Sequence, residues 1–250
     1  MRPRKLKILC TFGLIASMLC LWEIGARLTS PIFIPKPDKV IKAFIEVVIN
    51  GQLEVAFLYS FVRITVSSIL SALLSIVIGC LMKTFCTIRF ALNPAIKVMR
   101  FLPVTAFYPM LTIWFGIGEE MKIAFLFIAT FVYMLPSVLM AMDDVDKTII
   151  EAASVEGAGK IGLVHKIILP ISAPSISQSF AMMYGIGYTY IAVAEQTNAK
   201  YGLGYLIYTS SARGLTYMTF VGIAAIIITS IVFDLISTLA IKKIFSWKFS

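Results

Sequence analysis

Apolar runs of about twenty residues recur along this chain from one end to the other, and that recurrence limits its fold more than any other feature. A bilayer core of about 30 Å is crossed by roughly 20 apolar residues in helical form. Six stretches reach that length, at 8–26, 62–82, 98–117, 121–142, 171–195 and 219–241. The lipid core holds no water, so each must close its own backbone hydrogen bonds, as a helix does. Barrel-type alternation over about ten residues does not recur. The expectation is all-α: a membrane bundle of six transmembrane helices, one domain over 1–250. Composition agrees, with 59% hydrophobic and 14% charged residues and a mean hydropathy of +0.92; soluble domains run about 45–50% apolar and about 25% charged. That leaves no room for a water-soluble catalytic or nucleic-acid domain. The net charge of +9 lies between the apolar runs, where lipid headgroups meet it.

Lysine and arginine set the orientation. With the N-terminus inside, fourteen of the 22 basic residues fall in inside segments, among them Arg2, Arg4, Lys5, Lys7, Lys83, Arg89, Lys147, Lys242 and Lys243. Eight fall outside, including Arg63, Lys122 and Lys200. Both termini are therefore expected in the cytoplasm. The first span has the basic start of a signal peptide but no small-x-small cleavage site, and is read as an uncleaved helix. Cys10, Cys20, Cys80 and Cys86 form no CxxC pair, and His165 is the one histidine. Neither a metal site nor a disulfide framework is supported.

Small residues mark helix interfaces in lipid. Ser71, Ser75 and Gly79, beside Ser68 and Ala72, place the second span against protein; Ser177, Ala181 and Gly185 do the same for the fifth. Pro103, Pro109 and Pro136 interrupt spans three and four, as kinks or as a moving gate. Asp234 is the one acid well inside an apolar run. It lines a pathway or, preferably, pairs with a neighbouring hydroxyl or with Lys242 or Lys243. Glu23 and Glu195 lie near outer span ends, within reach of water. Phe101, Phe107, Tyr108, Tyr184, Tyr188 and Tyr190 either line a path or, preferably, pack between helices. After Pro35-Lys36-Pro37, Asp38 caps a short helix with Ile41, Phe44, Ile45 and Val48 on one face, suited to the membrane surface or to packing on the spans. Tyr201-Gly202-Leu203-Gly204-Tyr205 is too apolar for a free linker and is expected to fold over the mouth of the bundle.

The inside loop 143–170 is the most informative segment. Thr148 and Glu151 have the spacing of a capping box, Ala152 and Ala153 continue a helix, and Gly157 offers its stop. Two turns of helix are too short to stand alone in water, so the segment must dock on its own bundle or in a partner's groove. Gly157-Ala158-Gly159-Lys160 is not a phosphate loop: Ser154 and Ile161 stand where one needs Gly and Ser or Thr.

Glu151-Ala152-Ala153, then Gly157, then Ile167, Leu169 and Pro170, with nine residues between Gly157 and Ile167, resembles the EAA loop of ABC-importer permeases. The resemblance runs from about residue 31 to 248 and is closest to the nitrate/sulfonate/taurine branch. Pro35-Lys36-Pro37 is similar to that branch's LPSP segment, and Leu102-Pro103-Val104 and Trp114-Phe115-Gly116-Ile117-Gly118 to its third-span signature. Ala194-Glu195 with Gly202-Leu203-Gly204, Asp234 and Trp247 also fit. The resemblance implies a non-catalytic inner-membrane subunit of bacterial origin, with no cofactor of its own. ATP and Mg would bind two cytoplasmic ATPase partners, a second permease copy or close relative would complete the pathway, and an external binding protein would deliver the solute. Glu151, Ala152, Ala153, Gly157, Ile167, Leu169 and Pro170 would couple to the ATPase. Pro103, Tyr108, Tyr184, Tyr188, Glu195 and Asp234 would line the pathway or gate. Glu156 departs from the branch, which has an apolar residue there. A self-sufficient secondary carrier or channel is the alternative, but it predicts internal repeats with interrupted helices, and none is seen. Nitrate, bicarbonate, sulfonates, taurine, aromatic acids and vitamins or their precursors all remain open as solutes.

Overall fold

The computed structural model describes residues 3–249, with side chains from 10 to 248, so Arg2 and the side chains of Arg4, Lys5 and Lys7 lie outside the described residues. Those residues form helices and no strand. In chain order they are α1 (Pro3–Leu28), α2 (Pro37–Ile49), α3 (Gln52–Thr84), α4 (Cys86–Met99), a single 3-10 turn (Val104–Phe107) and α5 (Tyr108–Phe115). There follow α6 (Glu119–Asp143), α7 (Lys147–Val155), α8 (Lys160–Leu163), a π turn (Val164–Ile168) and α9 (Leu169–Ala194). The chain ends with α10 (Leu203–Ala212), α11 (Thr216–Ile244) and α12 (Ser246–Phe249).

Within α1, α3, α6 and α11 lie segments long and apolar enough to cross a membrane alone. The stretch 98–117 is not one helix, so the interruption expected in the third span is a full break rather than a kink. Its chain breaks after Met99 and turns by 99° between α4 and the 104–115 segment. Pro103 is the cause, because its ring excludes the helical conformation at the residue before it. Pro109 sits at the start of α5, where its missing N–H costs little, and Pro136 lies inside an α6 that runs on through it. Of the three prolines, one breaks its span.

The core is α6 wrapped by α3 and α9. Met121, Phe125, Leu126, Ala129, Val138 and Met142 of α6 are fully enclosed. The small stripe of α3 supplies the close approach: Ser67, Ser68, Ser71, Ser75 and Gly79 are all buried, as the spacing required. At Gly79 an added Cβ would meet Val138 Cγ1 at 3.0 Å and Met142 Sδ at 3.2 Å. On α9, Ala181 is buried while Ser177 and Gly185 are half-buried; the tighter seam there is Gly187, Tyr188 and Ile191. α2 exists where expected, but its buried face is Val40, Ala43 and Val47, set against Val221 with Trp22 and Phe220 around them. Ile41, Ile45 and Val48 point outward.

Two ion clusters fix helix directions. Arg63 of α3 meets Glu119 of α6 at one end of the bundle. At the other, Asp143 of α6 meets Lys83 of α3 and, at 3.0 Å, Arg89 of α4. α3 and α6 therefore run parallel, and the bent α4–α5 pair carries the chain back between them.

A Gly79→Leu substitution forces α3 from α6 and lowers stability by about 1–3 kcal/mol through overpacking. Gly13→Leu on α1, where an added Cβ meets nothing within 4 Å, is expected to leave the thermal midpoint in detergent unchanged.

Candidate functional site

The segment from 144 to 168 joins α6 to α9 and carries the expected coupling residues. Its first turn is set by Asp146, not by the expected Thr148–Glu151 box: the Thr148 backbone N–H donates to Asp146 Oδ1 at 2.8 Å. The helix begins two residues earlier than a Thr148 cap requires, which leaves Glu151 past the first turn and out of reach of the capping N–H. That hydrogen bond holds the Asp146 carboxyl below the usual aspartate range.

Its last turn closes as a Schellman motif, with Gly157 N–H donating to Ser154 O and Ala158 N–H to Ala153 O, both at 3.1 Å. Gly157 takes the left-handed conformation this motif needs, with φ +89°. A nine-residue helix is thus closed at both ends by its own sequence, and none of its residues is buried. It is tethered at its root, where Val145 is buried with Met142, Val164 and Ile168, and Ile150 packs on them. Glu151 and Ala152 are exposed, Ala153 is half-buried, and Val155 is 89% exposed. Glu156 is exposed as well.

Ile167 lies in the π turn, while Leu169 and Pro170 open α9. The second half of the 143–170 loop is thus helical from Lys160 on, which corrects its reading as a loop throughout. Pro170 in the first turn of α9 fits because the first helical N–H groups have no partner there. Gly159 merely starts the four-residue α8.

The pathway residues fall into three groups. Tyr184 and Tyr188 are 1% exposed, and Tyr184 stacks on Phe233 at 3.6 Å and shares a 2.7 Å hydrogen bond with Thr65. Tyr108 is buried edge-on to Phe125. These aromatics pack between helices. Pro103 is exposed at the break of the bent pair. Asp234 is exposed too, and among the described residues it pairs with neither Lys242 nor Lys243, against the expected partnership.

Glu195 is the residue the sequence placed worst. Instead of reaching water it is completely buried. Arg63 Nη1 donates to it at 2.6 Å, Ser60 Oγ at 2.8 Å and the Gly204 backbone N–H at 2.8 Å. Arg63 also grips both oxygens of Glu119 at 2.6 and 2.7 Å and donates to Tyr201 O at 2.8 Å. Lys122, equally enclosed, donates to Glu119 at 3.1 Å. Neither Arg63 nor Lys122 is therefore a free outer-loop charge. Gly202 makes this possible, since a Cβ there would sit 2.1 Å from a Glu195 oxygen. The signal lay in spacing: Ser60, Arg63 and Ser67 extend the buried stripe of Ser71 and Ser75 by whole helical turns.

The model of the binding-protein-dependent transport system inner membrane component family matches residues 71–246. The chain is 29% identical over 240 residues to the taurine transport system permease protein TauC of Escherichia coli (strain K12), covering 93% of this chain and 87% of that protein. It is 26% identical to the putative aliphatic sulfonates transport permease protein SsuC of Bacillus subtilis (strain 168), covering 93% and 85%. Its fold is similar to a chain of the MetNI methionine ABC transporter in inward-facing conformations, with TM-score 0.64 at 18% identity, covering 74% of this chain and 92% of that one.

Two outcomes follow. Glu195→Ala leaves Arg63 buried beside an empty site and is expected to cost about 3–5 kcal/mol, read as a large fall in the thermal midpoint. Because the Asp146 carboxyl lies below its unfolded value, its cap is at full strength above the ordinary aspartate range and is lost as pH falls through the lowered value. Hydrogen exchange at Thr148–Ile150, corrected for intrinsic rates, should therefore accelerate on acidification; Asp146→Asn keeps a capping oxygen and should abolish that response.

Proposed function

The chain belongs to the family of binding-protein-dependent transport system inner membrane components, and from that premise we propose that it forms half the translocation pathway of an ATP-driven importer, driven through α7. The resemblance to ABC-importer permeases of the sulfonate and taurine type is borne out. Its role is to carry a small solute across a bacterial cytoplasmic membrane. ATP hydrolysis, with its Mg, belongs to two separate ATPase chains on the cytoplasmic face. A second copy or close relative supplies the other half of the pathway, and an external binding protein brings the solute.

The observation that carries this reading is α7 itself. A short helix closed at both ends, anchored at its root and with none of its side chains fully buried is built to lie in another protein's groove. Glu151, Ala152 and Val155 present its free surface, with Gly157 turning the chain back. Glu156 faces water beside that surface, so its departure from the branch leaves the contact intact. Six crossings with both termini on the α7 side fit the helix directions: α3 and α6 run parallel, the bent pair returns between them, and α9 returns from Ile168 to Glu195. The opposite end offers an open groove of about 450 Å³, lined by Asn50, Gln52, Lys200, Tyr201 and Tyr205, that suits delivery from outside.

Purification of the tagged chain from native membranes in mild detergent tests the proposal. An ATPase subunit is expected to co-purify with the wild type and to be lost from a Glu151→Lys, Gly157→Leu double variant. A well-folded wild type that brings down no ATPase contradicts it.

A further inference from the structure

Asp234 stands on an apolar helix with no ion pair or hydrogen bond among the described residues. At 1.5 Å per residue it lies about 15 Å from the C-terminal end of α11. A carboxylate at that depth is expensive against hydrocarbon, so it requires water or a countercharge. The structure gives it a cavity of about 280 Å³ between α9 and α11, shared with Gln178, Thr238 and Lys242 and walled by Met182 and Ile241. Lys242 is two turns further on, about 12 Å along the helix axis, and no ion pair closes the distance. The cavity therefore has an acidic end and a basic end, with an amide and a hydroxyl between them.

We propose that this cavity binds a small zwitterion, an ammonium group carried a few bonds from a sulfonate, carboxylate or phosphate. Asp234 takes the ammonium, Lys242 the acid group, and Gln178 and Thr238 hydrogen-bond across the middle. A simple anion would meet the Asp234 carboxylate unfavourably, and a simple amine would leave Lys242 unmatched. The Asp234 charge, costly alone in a span, and the Lys242 charge at the span's end are matched together only by a ligand bearing both. The site rests on the permease reading, in which it lies in the α7 half of the pathway, where cargo passes shortly before release. The same chemistry has two sources: an aminosulfonate or amino-acid cargo, or the headgroup of an ethanolamine phospholipid.

The test uses the full chain with its co-purifying ATPase subunits, reconstituted in nanodiscs of phosphatidylglycerol alone. Equilibrium binding of radiolabelled taurine is compared with isethionate, which replaces the ammonium with a hydroxyl. Taurine is expected to bind at least about tenfold more tightly. Asp234→Asn should remove that preference, Asp234→Glu should restore part of it, and Lys242→Gln should weaken both ligands. A second arm adds phosphatidylethanolamine. If the lipid is the natural occupant, it competes with taurine and stays bound in native mass spectrometry of the wild type but not of Asp234→Asn. If cargo is the occupant, taurine binding is the same in both lipids. Equal binding of taurine and isethionate by the wild type overturns the site, and so does a taurine preference and lipid retention unchanged in Asp234→Asn. Co-purification of the ATPase with the wild type scores the permease reading separately, so an assembled complex without the preference counts against the cavity alone.

Discussion

The guanidinium of Arg63, drawn out of water and divided between Glu119 and Glu195, is the interaction on which the rest of the bundle depends. Its planar fork spans α3, α6 and the end of α9 at once, and a fourth N–H, on Nη1, reaches the Tyr201 carbonyl. Glu195 in turn accepts the Gly204 N–H, which hangs α10 from the same cluster. Burying such charges is costly, and well-packed apolar residues could match their net stability. What they supply is register. A helix slipped by one residue would leave a buried guanidinium or carboxylate unpaired, and that penalty rules out neighbouring packings of α3 on α6.

With this end pinned by Arg63 and the α7 end by Asp143, Lys83 and Arg89, the α3–α6–α9 core is held at both extremities. The less enclosed elements lie around it. The α1 span is only 6% buried, and the bent α4–α5 pair exposes Phe101, Ile113 and Trp114. α7 projects with its free face in the open. A rigid core flanked by unpartnered elements suits a subunit whose working form is larger than itself: the core keeps its geometry while the surrounding helices meet other chains.

Much of this was legible in the sequence. The apolar runs located the long helices because lipid leaves the backbone no alternative to helix, and the small-residue stripe of α3 showed which side met protein. The α7 segment was legible because Gly157 can end a helix that Ala152 and Ala153 prolong. Glu195 and Arg63 were misplaced because a charge near a span end looks the same whether it turns to water or inward. For Glu195 the Gly202 approach, made in three dimensions, separates the two; for Arg63 the signal lay in its spacing from Ser67 and Ser71. Pro103 announced a break but not its 99° angle, which depends on how Tyr108 and Leu111 pack on α6. The true cap of α7 was missed because Asp146 and Thr148 both satisfy capping chemistry, and the buried Val145 decides where the helix begins.

The central claim is that α7 is the surface through which another chain's ATP hydrolysis reaches this bundle. Its most direct test places a single cysteine at Val155 in an otherwise cysteine-free chain, co-reconstituted with its ATPase, and applies a short bifunctional thiol–amine crosslinker. The account predicts a permease–ATPase product from Val155→Cys and none from an equally exposed Phe90→Cys on α4. Equal labelling of both positions, or a product only from Phe90→Cys, would contradict it.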